Sequence, residues 1–287
     1  MRGLPQPAEE RLIEGCPVIE LHDSSTDVKY LLNALYNQLI FTQKSHPFPF
    51  IAAIVRLGRK YDSKNLLEAA VQRLTFENPS TLEQYQQLLG ATKEILYRPT
   101  QIGQNAGIIF DTITLAREND LFALLPCAYL RAVLFHDQET ILDGVSRVVN
   151  IDGVSRSINP PVTPSQTDQR LCLRAMRKFV QVQWARPGLW NWLSSDQCAD
   201  GCTSTLSCTT RRKAILRCSL KNSVSLIPFG CASEPHLCSV CERHHLGIMA
   251  EERKKLWEDL PGFFDLPPWD ELRMIFRCRR VHLLVCN

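Results

Sequence analysis

No apolar run in this sequence approaches the ~20 residues that a bilayer-spanning helix needs; stretches such as Ala52-Ala53-Ile54-Val55 fall far short. The opening MRGLPQPAEE carries no apolar signal-peptide core. An intracellular chain that enters no membrane is the expectation. Charge of one sign is also scarce: 33 Lys and Arg stand against 30 Asp and Glu, a net charge of +3. No large electrostatic field marks the chain as a nucleic-acid binder, and binding of that kind would need a local basic patch. Catalytic signatures are missing too. There is no phosphate loop G-x-x-x-x-G-K-[ST], no dinucleotide G-x-G-x-x-G after a strand, no G-x-S-x-G and no H-E-x-x-H. The histidines are scattered apart from His244-His245, and no carboxylate pair sits where one would raise the pKa of the other. A non-enzymatic protein is expected.

Cysteine, by contrast, is plentiful, and seven of the 12 lie between Cys198 and Cys241. Without a secretory signal, clustered cysteines point to metal ligands or reduced thiols before disulfides.

Helical periodicity dominates the first hundred residues. A short strand over Pro17–Leu21 is followed by a helix capped by Ser25 or Thr26, along which Val28, Leu31, Leu32, Leu35, Tyr36 and Leu39 share one apolar face. Pro47 and Pro49 interrupt the pattern. It resumes from about Phe50 to Tyr61, again over Leu66 to Leu74 until Asn78-Pro79, and then in a helix capped by Thr81. Further helices are expected within 103–117, 121–135 and 168–182. The pentapeptide Asp143-Gly-Val-Ser-Arg147 recurs as Asp152-Gly-Val-Ser-Arg156, read as a local duplication in a hairpin-like loop because two copies nine residues apart make no repeat architecture. The proline-rich 159–168 segment reads as a linker. Trp184, Trp190, Trp192, Trp257 and Trp269, with Phe263-Phe264, are expected to cover a small C-terminal subdomain. Lys254-Lys255 and Arg277-Cys-Arg279-Arg280 read as solvated helix faces, so nucleic acid is not the expected partner.

The chemical constellation is Cys198-x3-Cys202-x5-Cys208 followed, thirty residues on, by Cys238-x2-Cys241 and His244-His245. Zinc takes four soft N or S ligands in a tetrahedron, and a C-x₂-C knuckle supplies two thiolates from one side. A helix expected from about Glu242 to Leu260 starts at the second knuckle cysteine, where backbone N–H dipoles favour thiolate charge. Spacing prefers Cys198 and Cys202 as the closing pair, while Cys202 and Cys208 are sterically feasible. Reduced, partly buried thiols without metal are the alternative.

The runs Leu4-Pro-Gln-Pro-Ala-Glu-Glu10, Gly15-Cys-Pro-Val-Ile-Glu-Leu-His-Asp23, Leu31-Leu32-Asn-Ala-Leu-Tyr36 and Ile54-Val-Arg-Leu-Gly-Arg-Lys-Tyr61, with Leu66-Leu67, resemble fungal BTB/POZ-domain proteins. So do Cys202-Thr…Cys208, Leu237-Cys-x-x-Cys241 and Leu256-Trp-Glu-Asp-Leu-Pro-Gly-Phe-Phe-Asp-Leu266, which resemble the Cys-containing C-terminal region of the same group. The resemblance extends to about residue 273. It implies a mainly α fold in which a partial BTB/POZ-like α/β core (1–98) leads through a helical connecting region (99–160) to a helical, Cys-rich C-terminal region (161–287). It also implies that the first half of the BTB domain would precede residue 1, leaving the Pro17–Leu21 strand without partners and the chain prone to aggregation or strand swapping. The function implied is protein–protein interaction, by self-association or by presenting a groove to a cullin-type ubiquitin-ligase scaffold. The contacts would come from the helices Asp27–Phe41 and Phe50–Asn78 and the Thr42–Pro49 loop. The same resemblance selects Cys202, Cys208, Cys238 and Cys241 as zinc ligands, with Cys198 or His244 as substitutes. The alternative function is a zinc-dependent structural or nucleic-acid-binding protein built on the cysteine cluster.

Overall fold

Apolar residues recurring every three to four positions fold the chain into a mainly helical protein. The computed structural model describes residues 12–13, 16–18, 20–37, 39–92, 99–151, 154–185, 187–221 and 237–275.

The chain enters through a short antiparallel ladder, β1 (Leu12–Ile13) with β2 (Cys16–Pro17). The strand expected over Pro17–Leu21 stops at its first residue, because Pro17 has no N–H to extend the ladder. Helix α1 (Ser25–Tyr36) is capped by Ser24, whose Oγ accepts from the Asp27 N–H at 3.4 Å, so the cap falls earlier than the pattern indicates. It also ends earlier. The Asn37 side chain turns back to accept from the Leu39 N–H at 3.2 Å, and a 3-10 turn over Ile40–Thr42 follows. Of the six residues on its expected apolar face only Leu31 is buried, while Leu32, Leu35, Tyr36 and Leu39 are exposed.

Helix α2 (Phe48–Lys60) starts at Phe48 rather than Phe50, since Pro49 occupies the first turn, where a missing N–H costs nothing. Phe50, Ile51, Ala53, Ile54 and Val55 bury it deeply. Gly58 admits helix α3 (Lys64–Glu77): a Cβ there would stand 3.3 Å from the Leu67 Cβ. Thr81 caps α4 (Leu82–Thr92) as the pattern indicates, its Oγ1 accepting from the Gln84 N–H at 3.3 Å.

Two distant segments meet in a parallel pair, β3 (His46–Pro47) with β4 (Ile102–Gly103). Arg73 on α3 fastens the approach to it. Its guanidinium donates to the carbonyls of Phe41 (3.0 Å), Gln43 (2.7 Å), Lys44 (2.9 Å) and Gln101 (3.2 Å).

Helix α5 (Ile108–Glu118) packs on α6 (Leu125–Phe135), which is buried from Leu125 to Val133 on every face and so runs through the centre of the core. Helix α7 (Gln138–Asp143) ends at Gly144, whose φ of +88° turns the chain into the hairpin β5 (Val145–Ile151) and β6 (Val154–Val162). The shared Val-Ser-Arg of the two copies, Val145–Arg147 and Val154–Arg156, therefore lies in the two strands of a hairpin, while Asp143 and Gly144 close α7 and Asp152 and Gly153 lie outside the described residues. The two copies are not paired with each other: Val145 opposes Val162, and Val154 opposes Ile151.

The proline-rich 159–168 segment is fastened at its end. Asp168, opening α8 (Gln166–Ala185), is buried and accepts from Arg117 Nε at 3.1 Å, Ser165 Oγ at 2.6 Å and the Tyr129 hydroxyl. Helices α9 (Pro187–Ser194), α10 (Thr205–Lys221) and α11 (Ser239–Phe263) follow, with a last helical stretch over 269–275.

One core draws on Ile51, Phe110, Leu130, Phe179, Leu260 and Trp269, and so on residues from all three expected segments. A second, smaller core gathers Leu189, Trp192, Leu193, Cys208, Ile215, Leu237, Cys241 and Met249. The aromatics divide between them. Trp192 lies in the small core with Trp190 against it, whereas Trp257, Trp269, Phe263 and Phe264 belong to the large one, where Trp257 meets Tyr85 at 5.0 Å. The Trp184 side chain lies outside the described residues, as do Arg277, Arg279 and Arg280.

Arg73→Met removes four charge-assisted bonds to backbone carbonyls, two of them at partly exposed sites; a loss of about 2–4 kcal/mol in stability is expected. A chemical-denaturation midpoint equal to that of the wild type would show that the clamp contributes nothing.

Candidate metal centre

Three stretches of chain bring the cysteines of the small core together. Cys202 lies in the turn before α10, Cys208 is in that helix's first turns, and Cys238 and Cys241 stand at the start of α11. Cys238 is the N-cap and Ser239 the first helical residue, so α11 begins ahead of the second knuckle cysteine rather than at it. This places Cys238 at the N-terminus of α11, where the helix dipole favours negative charge.

The Sγ atoms of Cys202, Cys208, Cys238 and Cys241 all lie within 4.8 Å of one another, close enough to hold a metal ion. The Cys202 and Cys238 sulfurs are 3.7 Å apart. That is far beyond the ~2.05 Å of a disulfide, and it matches the ~3.8 Å edge of a tetrahedron built on zinc–sulfur bonds of about 2.3 Å. Cys208 and Cys241 are buried, and Cys202 and Cys238 partly so.

Backbone donors surround the sulfurs. The Cys238 N–H donates to Cys208 Sγ at 3.3 Å. The N–H groups of Cys241 and then Thr203 favour the Cys238 thiolate and bring its pKa down to about 5. Burial pushes the Cys241 thiol up, and the sulfurs of Cys202, Cys238 and Cys208 push it further. At Cys202 the Ser204 N–H favours the thiolate, yet burial and the neighbouring Cys238 and Cys198 sulfurs carry its pKa upward. One thiol is thus ready to ionise while its neighbours resist adding like charge beside it. A divalent cation among the four reverses that balance, since it deprotonates a coordinating thiol.

The two substitute ligands fall outside the four. Cys198 faces α10, its sulfur 3.5 Å from Thr209 Oγ1 and 3.6 Å from Arg212 Nη2. His244 is exposed and meets the Trp192 ring at 4.4 Å, while His245 is buried, its pKa lowered by that burial and by its neighbour His244. Sequence spacing alone prefers Cys198 over Cys208. It is Cys208 whose sulfur lies within 4.8 Å of the other three, from the first turns of α10. The residue that sequence reasoning missed is Arg212, which sits unremarkably in the polar run Thr209-Thr-Arg-Arg-Lys213 and is fully buried behind Cys198.

Among the described residues, no helix is long and apolar enough to cross a membrane. No family model, curated protein or solved structure matches the chain.

In the chelator-treated chain, Cys238 is expected to be the fastest thiol to alkylate, at a rate nearly flat from pH 8 down to pH 6. An ordinary thiol with a pKa of about 8.5 slows close to tenfold per unit over that range. Cys127 and Cys172, buried and with raised pKa values (about 12 for Cys172), should stay unmodified while the fold persists. Peptide mapping after timed iodoacetamide exposure checks this, and a tenfold drop per pH unit at Cys238 would contradict it.

Proposed function

We propose that this chain is a non-catalytic interaction module, similar to BTB/POZ adaptors over its first 98 residues, whose C-terminal helices are held by one structural zinc ion on Cys202, Cys208, Cys238 and Cys241. The observation that carries the metal half is the approach of four sulfurs within 4.8 Å, with backbone N–H groups directed at them. Four thiolates complete a tetrahedron and leave no position for substrate or water, which is the arrangement of structural rather than catalytic zinc. The small core around them is slight, and a bound metal contributes folding free energy directly to a unit of that size.

The interaction half is supported by α1 and the turn after it. Leu32, Leu35, Tyr36 and Leu39 are 46%, 50%, 87% and 71% exposed, an apolar run that solvent does not favour. Of the helices that the resemblance assigned to partner contacts, α2 is spent largely on the core, so α1 is the stretch with side chains free to meet a partner. A second copy of the chain and a cullin-type scaffold are the partners the resemblance implies. Nucleic acid is less favoured: of the described basic pair, Lys255 is engaged with Glu252 at 3.4 Å.

Elemental analysis of the purified full chain is expected to find one zinc per chain in the wild type and in Cys198→Ser, and almost none in Cys238→Ser. A folded wild type free of metal would overturn the centre, and zinc loss in Cys198→Ser would overturn this choice of ligands. Binding is tested with the double variant Leu35→Asp, Leu39→Asp, which should abolish self-association or capture of a cullin-type scaffold at both low and high salt. Binding that instead vanishes with added salt or nuclease would replace protein with nucleic acid as the partner.

A further inference from the structure

Arg212 is 0% exposed, on α10. Its guanidinium lies 4.3 Å from the centre of the Trp192 ring, and Nη1 donates to the Trp192 carbonyl. Nη2 stands 3.4 Å from Thr209 Oγ1 and 3.6 Å from Cys198 Sγ, while the buried Nε has no acceptor. Among the described residues it forms no ion pair. Asp196 feels its charge at longer range but is exposed and bridges Lys213 at 2.7 Å.

A fully buried cation without a paired anion is expensive, and such charges are found paired or at metal sites. The ring face of Trp192 and one carbonyl satisfy only part of this guanidinium. What lies beyond Nη2 is the Cys198 sulfur, and Cys198 packs beside Cys202 and Cys238 against the small core that holds Cys208 and Cys241. Four thiolates around a divalent ion carry a net charge of −2, in the same small core and one thiol away. Each charge is what the other lacks.

We propose that Arg212 is the counter-cation of the cysteine centre, acting through Cys198 to offset the negative charge of the metal-bound thiolates and so to set metal affinity. The inference rests on the tetrathiolate reading above. Arg212 touches no metal and is a positioning residue; its positive charge is its contribution, and the Cys198 sulfur carries the contact to the ligands.

Cobalt(II) titration of the full chain, in competition with a chelator, separates this from simple packing. Arg212→Met keeps much of the volume and removes the charge. It should weaken cobalt binding about tenfold to a hundredfold, the usual scale for outer-shell partners of metal ligands. It should also move the sulfur-to-cobalt charge-transfer band to lower energy, because thiolates without a nearby cation give up electron density more readily. The ligand-field bands should stay those of a tetrahedral four-sulfur site, and Arg212→Lys should recover most of the affinity. Should Arg212→Met not fold, Cys198→Val carries the test: it cuts the contact while leaving Arg212 in place, and several-fold weaker cobalt binding is expected. Wild-type affinity and charge-transfer energy in Arg212→Met, or unchanged affinity in Cys198→Val, would overturn the proposal. A wild type that binds no cobalt at all would instead overturn the metal reading on which it rests.

Discussion

Four sulfurs held within 4.8 Å of one another join three stretches of chain at the C-terminal helices, and the proposed centre depends on that approach. At 3.7 Å, the Cys202 and Cys238 sulfurs are too distant for a disulfide, and the four together are close enough to hold a metal ion. Three features around them favour negative charge against the burial that opposes it: the N-terminus of α11 at Cys238, the backbone N–H directed at Cys208, and the guanidinium of Arg212 behind Cys198. These donors come from the same chain segments whose apolar side chains, among them Ile215, Leu237 and Met249, help form the small core.

Helix α11 links this centre to the rest of the molecule. Its first turns carry Cys241 in the small core, and its last carry Leu256, Trp257 and Leu260 in the large one. Trp257 stacks on Trp269 at 5.5 Å and reaches Tyr85 on α4, so one continuous helix joins the proposed zinc centre to the first hundred residues. In the proposed function this lets the cysteine centre act as a rigid end piece while α1 presents its apolar side chains elsewhere. The division of labour is physical: α2, α5 and α6 consume their apolar faces in the core, whereas α1 leaves most of its own in solvent.

Much of this was legible from residue patterns. The helices over 25–36, 48–60, 64–77 and 82–92 follow from apolar spacing and from prolines, and the Val-Ser-Arg of each pentapeptide copy falls in a strand of one hairpin. The quartet Cys202, Cys208, Cys238 and Cys241 came from resemblance, since spacing alone pointed to Cys198. Periodicity shows that a helix has an apolar face but not whether another element covers it, which is why Leu35 and Leu39 read as core and are exposed. Nor does it register distant pairings. His46 meets Ile102 across more than fifty residues, and Trp257 reaches Tyr85 across far more, so the assignment of Trp257 and Trp269 to a small subdomain gave way to the large core. Arg212 was illegible for the same reason: its burial depends on where Trp192 and Cys198 sit in space.

The most direct test of a four-sulfur metal centre is X-ray absorption at the zinc edge on the purified full chain. The expected result is a single shell of four sulfurs at about 2.3 Å with no nitrogen or oxygen contribution. A shell containing nitrogen or oxygen, or no bound zinc in a folded chain, would contradict the account.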